Sequence, residues 1–421
     1  MTAPPVSVII VSRHRAAALM RCLTGLTQQD HPRFEVIVVA DPAAAAAVRH
    51  LPVKPVSFDE ANISAARNLG LSLASAPVVA FIDDDAVPEP TWLSRLVAPF
   101  LDPQVVASTG YVIGRNGISF QWQASEVDRL GQDHPLAITG RTLRANPPQR
   151  AVKTQGTNCA FRRDALLSIG GFDPAYRFYL DEADVNLRLA PHGLTAIDPA
   201  AQVHHGFAAS DRRRADRVPT SLHEIAASTA VFLRRHAPDA DLNAEWQRLL
   251  SHQSARIATH RHARRITQAE ADALLASLQS GWQDGMARPL SNLPPLSPAT
   301  SAFSALPNTG PRGGLVLSGR IWQKSRLLQQ ASAAVAAGQI VTVICLSPTL
   351  RAHRVIFHPK GFWLQQGGLF GRSDRNTPRF RLIRFAARIA AESARLANIR
   401  PTQREPALTG LSSKQMRVSA D

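Results

Sequence analysis

Hydrophobic and polar positions along this chain alternate between two rhythms. Val6-Ser7-Val8-Ile9-Ile10-Val11, Phe34-Glu35-Val36-Ile37-Val38-Val39 and Val78-Val79-Ala80-Phe81-Ile82 are short, mostly apolar runs with polar or turn residues at their ends. Such runs read as buried strands. Between them Leu19, Leu23 and Leu26 recur at helical spacing, an alanine-rich stretch follows Asp41, and Asn62 precedes Ile63 as a helix start. A weaker strand is expected over 53–58. Strands alternating with helices of this length predict an α/β fold with a doubly wound, mostly parallel sheet. Parallel strands point one way. Asp41 and the trio Asp83-Asp84-Asp85 therefore fall at one edge of that sheet, where ligands bind in open α/β folds.

Further along, Pro90-Thr91-Trp92-Leu93 opens a helix expected to reach about residue 101, and a strand is expected over 105–111. Residues 112–150 show no clear period. Residues 156–161 lead into a short helix at Arg162-Arg163, closed by Gly170-Gly171. Val185, Leu187 and Leu189 would suit a strand, but the acids Asp181, Glu182 and Asp184 mark a helix N-terminus. A short strand over 194–203 ends at His204-His205-Gly206. Residues 219–285 are helical in pattern, with Ser221…Glu224 and Thr267…Glu270 matching capping boxes. Residues 287–313 have a linker's composition. The stretch 314–346 suggests one βαβ unit, which has too little core to stand alone and is expected to pack on the body. A helix over 378–400 would cluster Arg381, Arg384, Arg388 and Arg395 beside Leu382, Phe385, Ile389 and Leu396. The domain reading is thus a catalytic-type α/β domain over 1–216, a helical extension over 217–286, a linker over 287–313, a small basic α/β segment over 314–400 and a disordered tail over 401–421.

Composition narrows the class. A hydrophobic fraction of 45% with 19% charged residues is that of a globular protein. There is no apolar run long enough to span a bilayer. The N-terminus lacks the pattern of a signal peptide. Cys22, Cys159 and Cys345 are few, odd in number and far apart, which argues against a disulfide framework or a cysteine zinc site and for a reducing cytoplasm. The net charge of +16 is concentrated. Residues 312–421 carry 18 Lys and Arg against 4 acids, whereas residues 1–311 carry 30 against 28. The charge is therefore no reason to expect a nucleic-acid partner for the whole chain. A basic amphipathic helix suits an anionic membrane surface or packs on the protein body with its arginines exposed; the expectation is a cytoplasmic protein, in the first case peripheral on the inner face of the membrane.

The acid trio carries the chemistry. Three adjacent carboxylates repel one another, and a divalent cation with oxygen ligands relieves that repulsion. A solvated acidic turn is the plainer alternative. Taken with the other pieces, the trio falls into the order of a known family. Residues 6–206 resemble family 2 glycosyltransferases. The likeness rests on the 6–11 strand and its arginine-containing sequel, Asp41, Asn62…Ala66-Arg67-Asn68…Gly70, and Phe81-Ile82-Asp83-Asp84-Asp85 with Pro90-Thr91-Trp92-Leu93. It continues through Gly156-Thr157-Asn158…Phe161-Arg162-Arg163, Gly170-Gly171-Phe172-Asp173, Asp181-Glu182-Ala183-Asp184 with Arg188, and the His-Gly turn.

The resemblance implies a GT-A fold and a metal-assisted, inverting transfer from a nucleotide sugar, of the UDP type, to a glycan or lipid-linked acceptor. Polysaccharide or glycoconjugate synthesis would be its setting, and Mn²⁺ or Mg²⁺ its cofactor. It assigns the metal to Asp85, completed by His204 or His205. It assigns the nucleotide to Asp41, Arg67, Asp83 and Asp84, with Asp41 at the uracil. Arg67 could equally pair with an acid structurally. The family's base is the Asp of a Glu-Asp pair; here the order is reversed, and register against Asp184 and Arg188 puts Glu182 in that place, with Asp181 the alternative. Asp184 and Arg188 read as a structural i,i+4 pair, Trp92 as a packing residue, and Arg212-Arg213-Arg214 as a solvated face or a diphosphate contact. Two other readings remain at this point: a nucleotidyltransferase, which would want a Gly- and Lys-containing loop where Ser12-Arg13-His14-Arg15 stands, and a catalytically silent domain that only binds nucleotide sugar.

Overall fold

The computed structural model describes residues 3–206, 212, 214, 216–290 and 292–402. The chain divides into two compact units, Met1–Pro311 and Arg312–Asp421.

Unit 1 is built on one large sheet. Its parallel core is β1 (Val6–Ser12), β2 (Phe34–Ala40), β3 (Lys54–Ser57) and β4 (Val78–Asp83), linked by α1 (Ala16–Leu26), α2 (Pro42–Ala47) and α3 (Ile63–Leu71). β1 lies between β2 and β4, in a register that sets Ser12 beside Ala40 and Val11 beside Asp83. The carboxyl ends of β1, β2 and β4 therefore meet at one edge. Period-two alternation sorts the side chains. Val6, Val8 and Ile10 join the apolar layer under α1 and α2, while Ile9 joins the opposite layer with Ala66 and Leu71 of α3.

The other half of the sheet is mixed. β5 (Ala86–Pro88) and α4 (Trp92–Val97) follow the acid trio, then β6 (Val105–Ile113) and β7 (Phe120–Trp122). The aperiodic stretch resolves into short strands: β8 (Ser125–Asp128), β9 (Asp133–Pro135), β10 (Thr142–Arg144) and β11 (Arg150–Val152). β11, β8 and β9 make a small separate sheet. β12 (Cys159–Arg162), α5 (Arg163–Ser168), α6 (Asp181–Leu189) and β13 (Leu194–His205) complete the domain. The main path runs β10-β13-β6-β12-β4-β1-β2-β3, with β5 on β13 and β7 on β6. The 181–189 segment is helical: Val185 and Leu189 face the sheet, while Leu187 packs into a second cluster with Phe232. β13 runs beyond the expected 194–203, because its ladder with β6 resumes at Gln202 after an irregularity that begins at Asp198 and carries the strand to His205.

Three helices follow, α7 (His223–His236), α8 (Leu242–His262) and α9 (Gln268–Ala287). Gly281 and Gly285 let α9 approach α7 closely; a Cβ at either would lie 2.1 or 2.3 Å from a carbonyl oxygen of α7. The Thr267 capping box forms on α9. The Ser221 box does not: Leu222 is the cap of α7, and Ser221 accepts from His223 N instead. The expected linker is a strap on unit 1 rather than a free tether. Ser75 Oγ donates to Ser301 O at 2.6 Å, Leu306 N donates to Phe34 O at 2.7 Å, and Leu306 is buried in the core.

Unit 2 has more than one βαβ crossover. β14 (Gly314–Arg320), α10 (Lys324–Ala336), β15 (Ile340–Ser347), β16 (Arg354–His358), β17 (Phe362–Gly368) and α11 (Phe385–Leu396) form a sheet of order β14-β15-β17-β16 with apolar layers on both faces. The expectation of a coreless appendage is corrected by these layers. The basic helix is corrected too. It begins at Phe385 rather than 378, and Arg388 is buried, with Nε 3.1 Å from the equally buried Glu392. Arg395 pairs with the same carboxylate at 3.1 Å. One buried acid thus pairs with two of the four arginines expected on a free face. The described residues include no helix long and apolar enough to cross a membrane. The tail after 402 and Arg213 lie outside the described residues.

Candidate active site

Strand alternation separates the trio. Asp83 ends β4 with its side chain one-third exposed, and Asp84 turns the other way. Asp84 is fully buried, accepts from Ser12 Oγ at 2.7 Å, and lies 2.7 Å from Arg15 Nη2. Burial pushes its carboxyl up to about 7 against the pull of Arg15 and Ser12. Asp84 thus ties β1 and its loop to the end of β4, and the nucleotide role expected for it is corrected to a structural one.

Asp85 points back towards Asp83, and a third group joins them from β13. Pairing of β13 with β5 sets His205 opposite Ala86. His205 Nε2 is then 3.2 Å from Asp85 Oδ1 and 4.0 Å from Asp83 Oδ2. Its other ring nitrogen, Nδ1, lies 3.2 Å from Gln121 Oε1. A proton donated there leaves the Nε2 lone pair facing the acids, the tautomer a metal ligand needs. One ligand atom each from Asp83, Asp85 and His205 lies within 4.8 Å of the others. Two carboxylate oxygens and one imidazole nitrogen are a donor set that fits Mn²⁺. A second triad, His223, Glu224 and Asp284, is already served by Arg288, at 3.1 Å from Glu224 and 2.6 Å from Asp284.

The tandem histidine is not a pair of ligands. His204 sits one residue earlier on the strand, faces away, and has Nε2 2.6 Å from Glu89. Its expected metal role is corrected by that parity.

Arg67 joins the two acidic groups of the site. From α3 its buried guanidinium reaches Asp181, comes within 3.7 Å of Asp83, and donates to Gly156 O at 3.1 Å. A Cβ on residue 156 would stand 2.8 Å from that guanidinium, so glycine leaves the room it needs. The rings of Phe81 and Phe172 lie 5.7 and 5.2 Å from its Cζ. Asp181 is thereby buried and paired. Glu182 stays partly exposed. Burial and the charge of Asp181 push its carboxyl up to about 7, against Lys153 and Arg67. The turn that presents the two acids is strained, since Tyr179 and Leu180 have φ of 75° and 63°. Left-handed backbone at two successive bulky residues concentrates at functional sites, and here burial of the Leu180 side chain holds it in place.

The remaining expected residues fall out as follows. The Asp41 carboxylate accepts from His14 N at 2.8 Å and Ala44 N at 3.1 Å, capping α2 and fixing the loop after β1. Burial raises its carboxyl, but these two donors outweigh that and hold it low. Asp184 bridges Arg188 at 2.5 Å and His236 at 2.9 Å, a structural cluster. Trp92 is buried and donates from Nε1 to Asn158 at 2.8 Å. Arg212 donates to Ala61 O at 3.0 Å and lies over the Phe178 ring, while Arg214 pairs with Asp216 at 3.1 Å. Several residues escaped sequence reasoning. Gln121 orients His205, and Trp122, 38% exposed, sets its ring 5.4 Å from the imidazole. Phe120 and Trp122 are the only aromatic residues of 112–150, and that density was the available signal. Lys153, beside Glu182, pairs with Asp133 at 2.8 Å.

Comparison with known proteins finds similarity over part of the chain. The profile of Glycosyl transferase family 2 matches residues 7–170. A pre-mycofactocin glycosyltransferase of Mycobacterium tuberculosis is 29% identical over 229 residues, 48% of this chain and 44% of that protein. A glucosyl-dolichyl phosphate glucuronosyltransferase of Haloferax volcanii is 32% identical over 114 residues, 27% of this chain and 34% of the relative. The match to each thus takes in less than half of the relative's length. Among solved structures, a mannosyltransferase of Pyrobaculum calidifontis in complex with GDP-Man and Mn²⁺ aligns over 68% of this chain and 88% of that one, with 16% identity and a TM-score of 0.41. The profile covers the chain from β1 into the turn after α5, including the trio and Arg67 within the mixed, mostly parallel sheet, and over those residues the chain is similar to glycosyl transferase family 2.

Proposed function

We propose that this chain transfers a sugar from a nucleotide-sugar donor, of the UDP type, to a glycan or lipid-linked acceptor, with inversion at the anomeric carbon. The observation that carries this reading is the single guanidinium of Arg67, which ties Asp83 of the metal-ligand cluster to Asp181 beside Glu182. A cation-ligand cluster and a carboxylate with a raised pKa then stand on two sides of one guanidinium. Acids so shifted cluster where proton transfer is needed.

Asp83, Asp85 and His205 would hold the divalent metal, whose charge would stabilise the departing diphosphate. The chain's own groups do the rest. The acceptor hydroxyl oxygen attacks the anomeric carbon, the bond from that carbon to the diphosphate oxygen breaks, and Glu182 takes the hydroxyl proton. Glu182 suits the role because Asp181 is buried and paired with Arg67 while Glu182 keeps access to solvent. Arg67 is a positioning residue that orients Asp83 and Asp181. Asp41 acts by holding the His14 loop beneath the nucleotide. Trp122 offers an apolar ring face beside the metal site, where a sugar face can lie. The dolichyl phosphate in one relative's name supports a lipid-linked acceptor.

The test is a panel of nucleotide sugars with and without Mn²⁺, read as nucleotide release, with the product anomer assigned by NMR. One donor should turn over only with metal and give the inverted product. Turnover undiminished by chelation, or a retained anomer, would sink the reading.

A further inference from the structure

Unit 2 ends its three parallel strands at Arg320, Ser347 and Gly368. α10 packs chiefly on β14, β15 and β17. The register shows the consequence. Ile356 of β16 pairs with Leu364 of β17; Leu364 is buried in the layer beneath α10, while Ile356 stays 43% exposed. Where the cover stops, a cleft of about 430 Å³ opens along the carboxyl edge of the sheet. Ile321, Ser347, Arg351, Arg354, Ile356 and Gln366 are among its lining residues.

Its chemistry is cationic and apolar together. Among the described residues no carboxylate pairs with Arg351 or Arg354. The acids of unit 2 are few: Glu392 is buried and taken by Arg388 and Arg395, and Asp374 lies in a turn bonded to Asn376 and Thr377. Apolar side chains stand in solvent around the same edge. Leu350, next to Arg351, is 59% exposed, and Trp322, next to Ile321, is 70% exposed. An isolated exposed apolar residue needs no explanation, but four beside arginines that lack a carboxylate do. A phosphate group satisfies arginine's forked donors, and exposed tryptophan and leucine beside it suit a membrane's headgroup region.

We propose that this cleft binds the phosphate headgroup of an anionic lipid, with Arg351 and Arg354 as its ligands and Ile321, Trp322, Leu350 and Ile356 entering the headgroup layer. The membrane contact then belongs to the rim of the β16 edge, not to α11. This stands apart from the sugar-transfer reading, because it uses no residue of unit 1.

The test is sedimentation of the full chain with vesicles of phosphatidylcholine alone or mixed with phosphatidylglycerol. The chain should bind the mixed vesicles and bind phosphatidylcholine alone much more weakly. R351A/R354A should lower binding to the mixed vesicles about 10- to 30-fold. Lys360→Ala, at the turn entering β17 on the opposite edge, should change it by about twofold or less. Both arginines are exposed, so the double variant should fold, and its nucleotide release in solution should match the wild type. Unchanged binding by R351A/R354A, or an equal loss in Lys360→Ala, would overturn the proposal. Complete displacement from vesicles by millimolar glycerol 3-phosphate would also overturn the lipid assignment, making the cleft a site for a soluble phosphoester.

Discussion

Two sheets in this chain end their parallel strands in opposite chemistry. In unit 1 the carboxyl edge gathers Asp83, Asp85 and His205, groups that could hold a cation. In unit 2 the carboxyl edge gathers Arg351 and Arg354 with apolar neighbours, groups whose charge suits an anion. Topology fixes the place of both sites, since strand ends leave backbone unpaired and helices step aside there. It does not fix the sign. In unit 1 the sign comes from strand parity, which turns Asp83 and Asp85 towards His205 and buries Asp84 against Ser12 and Arg15. In unit 2 it comes from what a buried acid consumes: Glu392 takes Arg388 and Arg395 and leaves the edge arginines without a carboxylate partner among the described residues.

The comparison breaks most sharply at Asp85. With Asp85→Ala the acidic edge keeps one carboxylate and one imidazole, and metal stabilisation worth several kcal/mol is lost. Metal-dependent nucleotide release should fall by about 10³-fold or more, and saturating Mn²⁺ should not restore it. Full activity at high Mn²⁺ would mean that the cation is held elsewhere.

Glu182→Gln comes next. It removes the proposed proton acceptor without changing the shape of the strained turn. Transfer should fall by about 10²- to 10⁴-fold, the usual worth of a positioned base, while nucleotide binding measured by calorimetry with Mn²⁺ should hardly change. That split separates base from binding residue. Loss of both together would make Glu182 part of the nucleotide site.

Much of the acidic edge is legible in the amino-acid sequence, and the reason is physical. β1, β2 and β4 are buried on both faces, so their apolar runs are continuous and hard to mistake. Parallel order then puts Asp41 and the trio at one edge. Parity is harder to read. Asp84 follows Asp83 by one residue and so must face away, yet a bare acid run does not say where the strand's alternation ends. His204 and His205 differ in the same way, and the irregularity after Asp198 hides how far β13 extends. Residues 112–150 are opaque because three-residue strands such as β7 carry no period; Gln121 and Trp122 gain their meaning only by lying next to β6 and His205. In unit 2 the stripe of arginines is visible, but not that Glu392, at i+4 from Arg388, buries that arginine and pairs with Arg395.

The histidines allow a finer cut. His205→Ala should weaken Mn²⁺ binding about 10- to 100-fold, at least what loss of a residue that merely orients a ligand costs. His204→Ala should leave Mn²⁺ affinity within about twofold, because its partner is Glu89. Titration of Mn²⁺ into each variant, followed by its relaxation signal, gives both numbers. Equal losses would return His204 to the metal site and contradict the parity of β13.

The smallest effect is a slope. Glu182 is raised from an ordinary 4.5 to about 7, by burial first and Asp181 second, with Lys153 and Arg67 pulling the other way. Tyr179 and Asp133 lie close by, and Asp133 pairs with Lys153. The base works only as a carboxylate. Below about 7 it is increasingly protonated, so turnover should drop about tenfold per pH unit there and level off above. Lys153→Met removes a charge that favours the carboxylate, so the rising limb should move to higher pH while the plateau stays near wild type. An acid at its ordinary value would give a flat profile from about pH 6 upward. A profile of that kind in the wild type, or a limb that moves to lower pH in Lys153→Met, would remove the electrostatic basis for choosing Glu182 over Asp181.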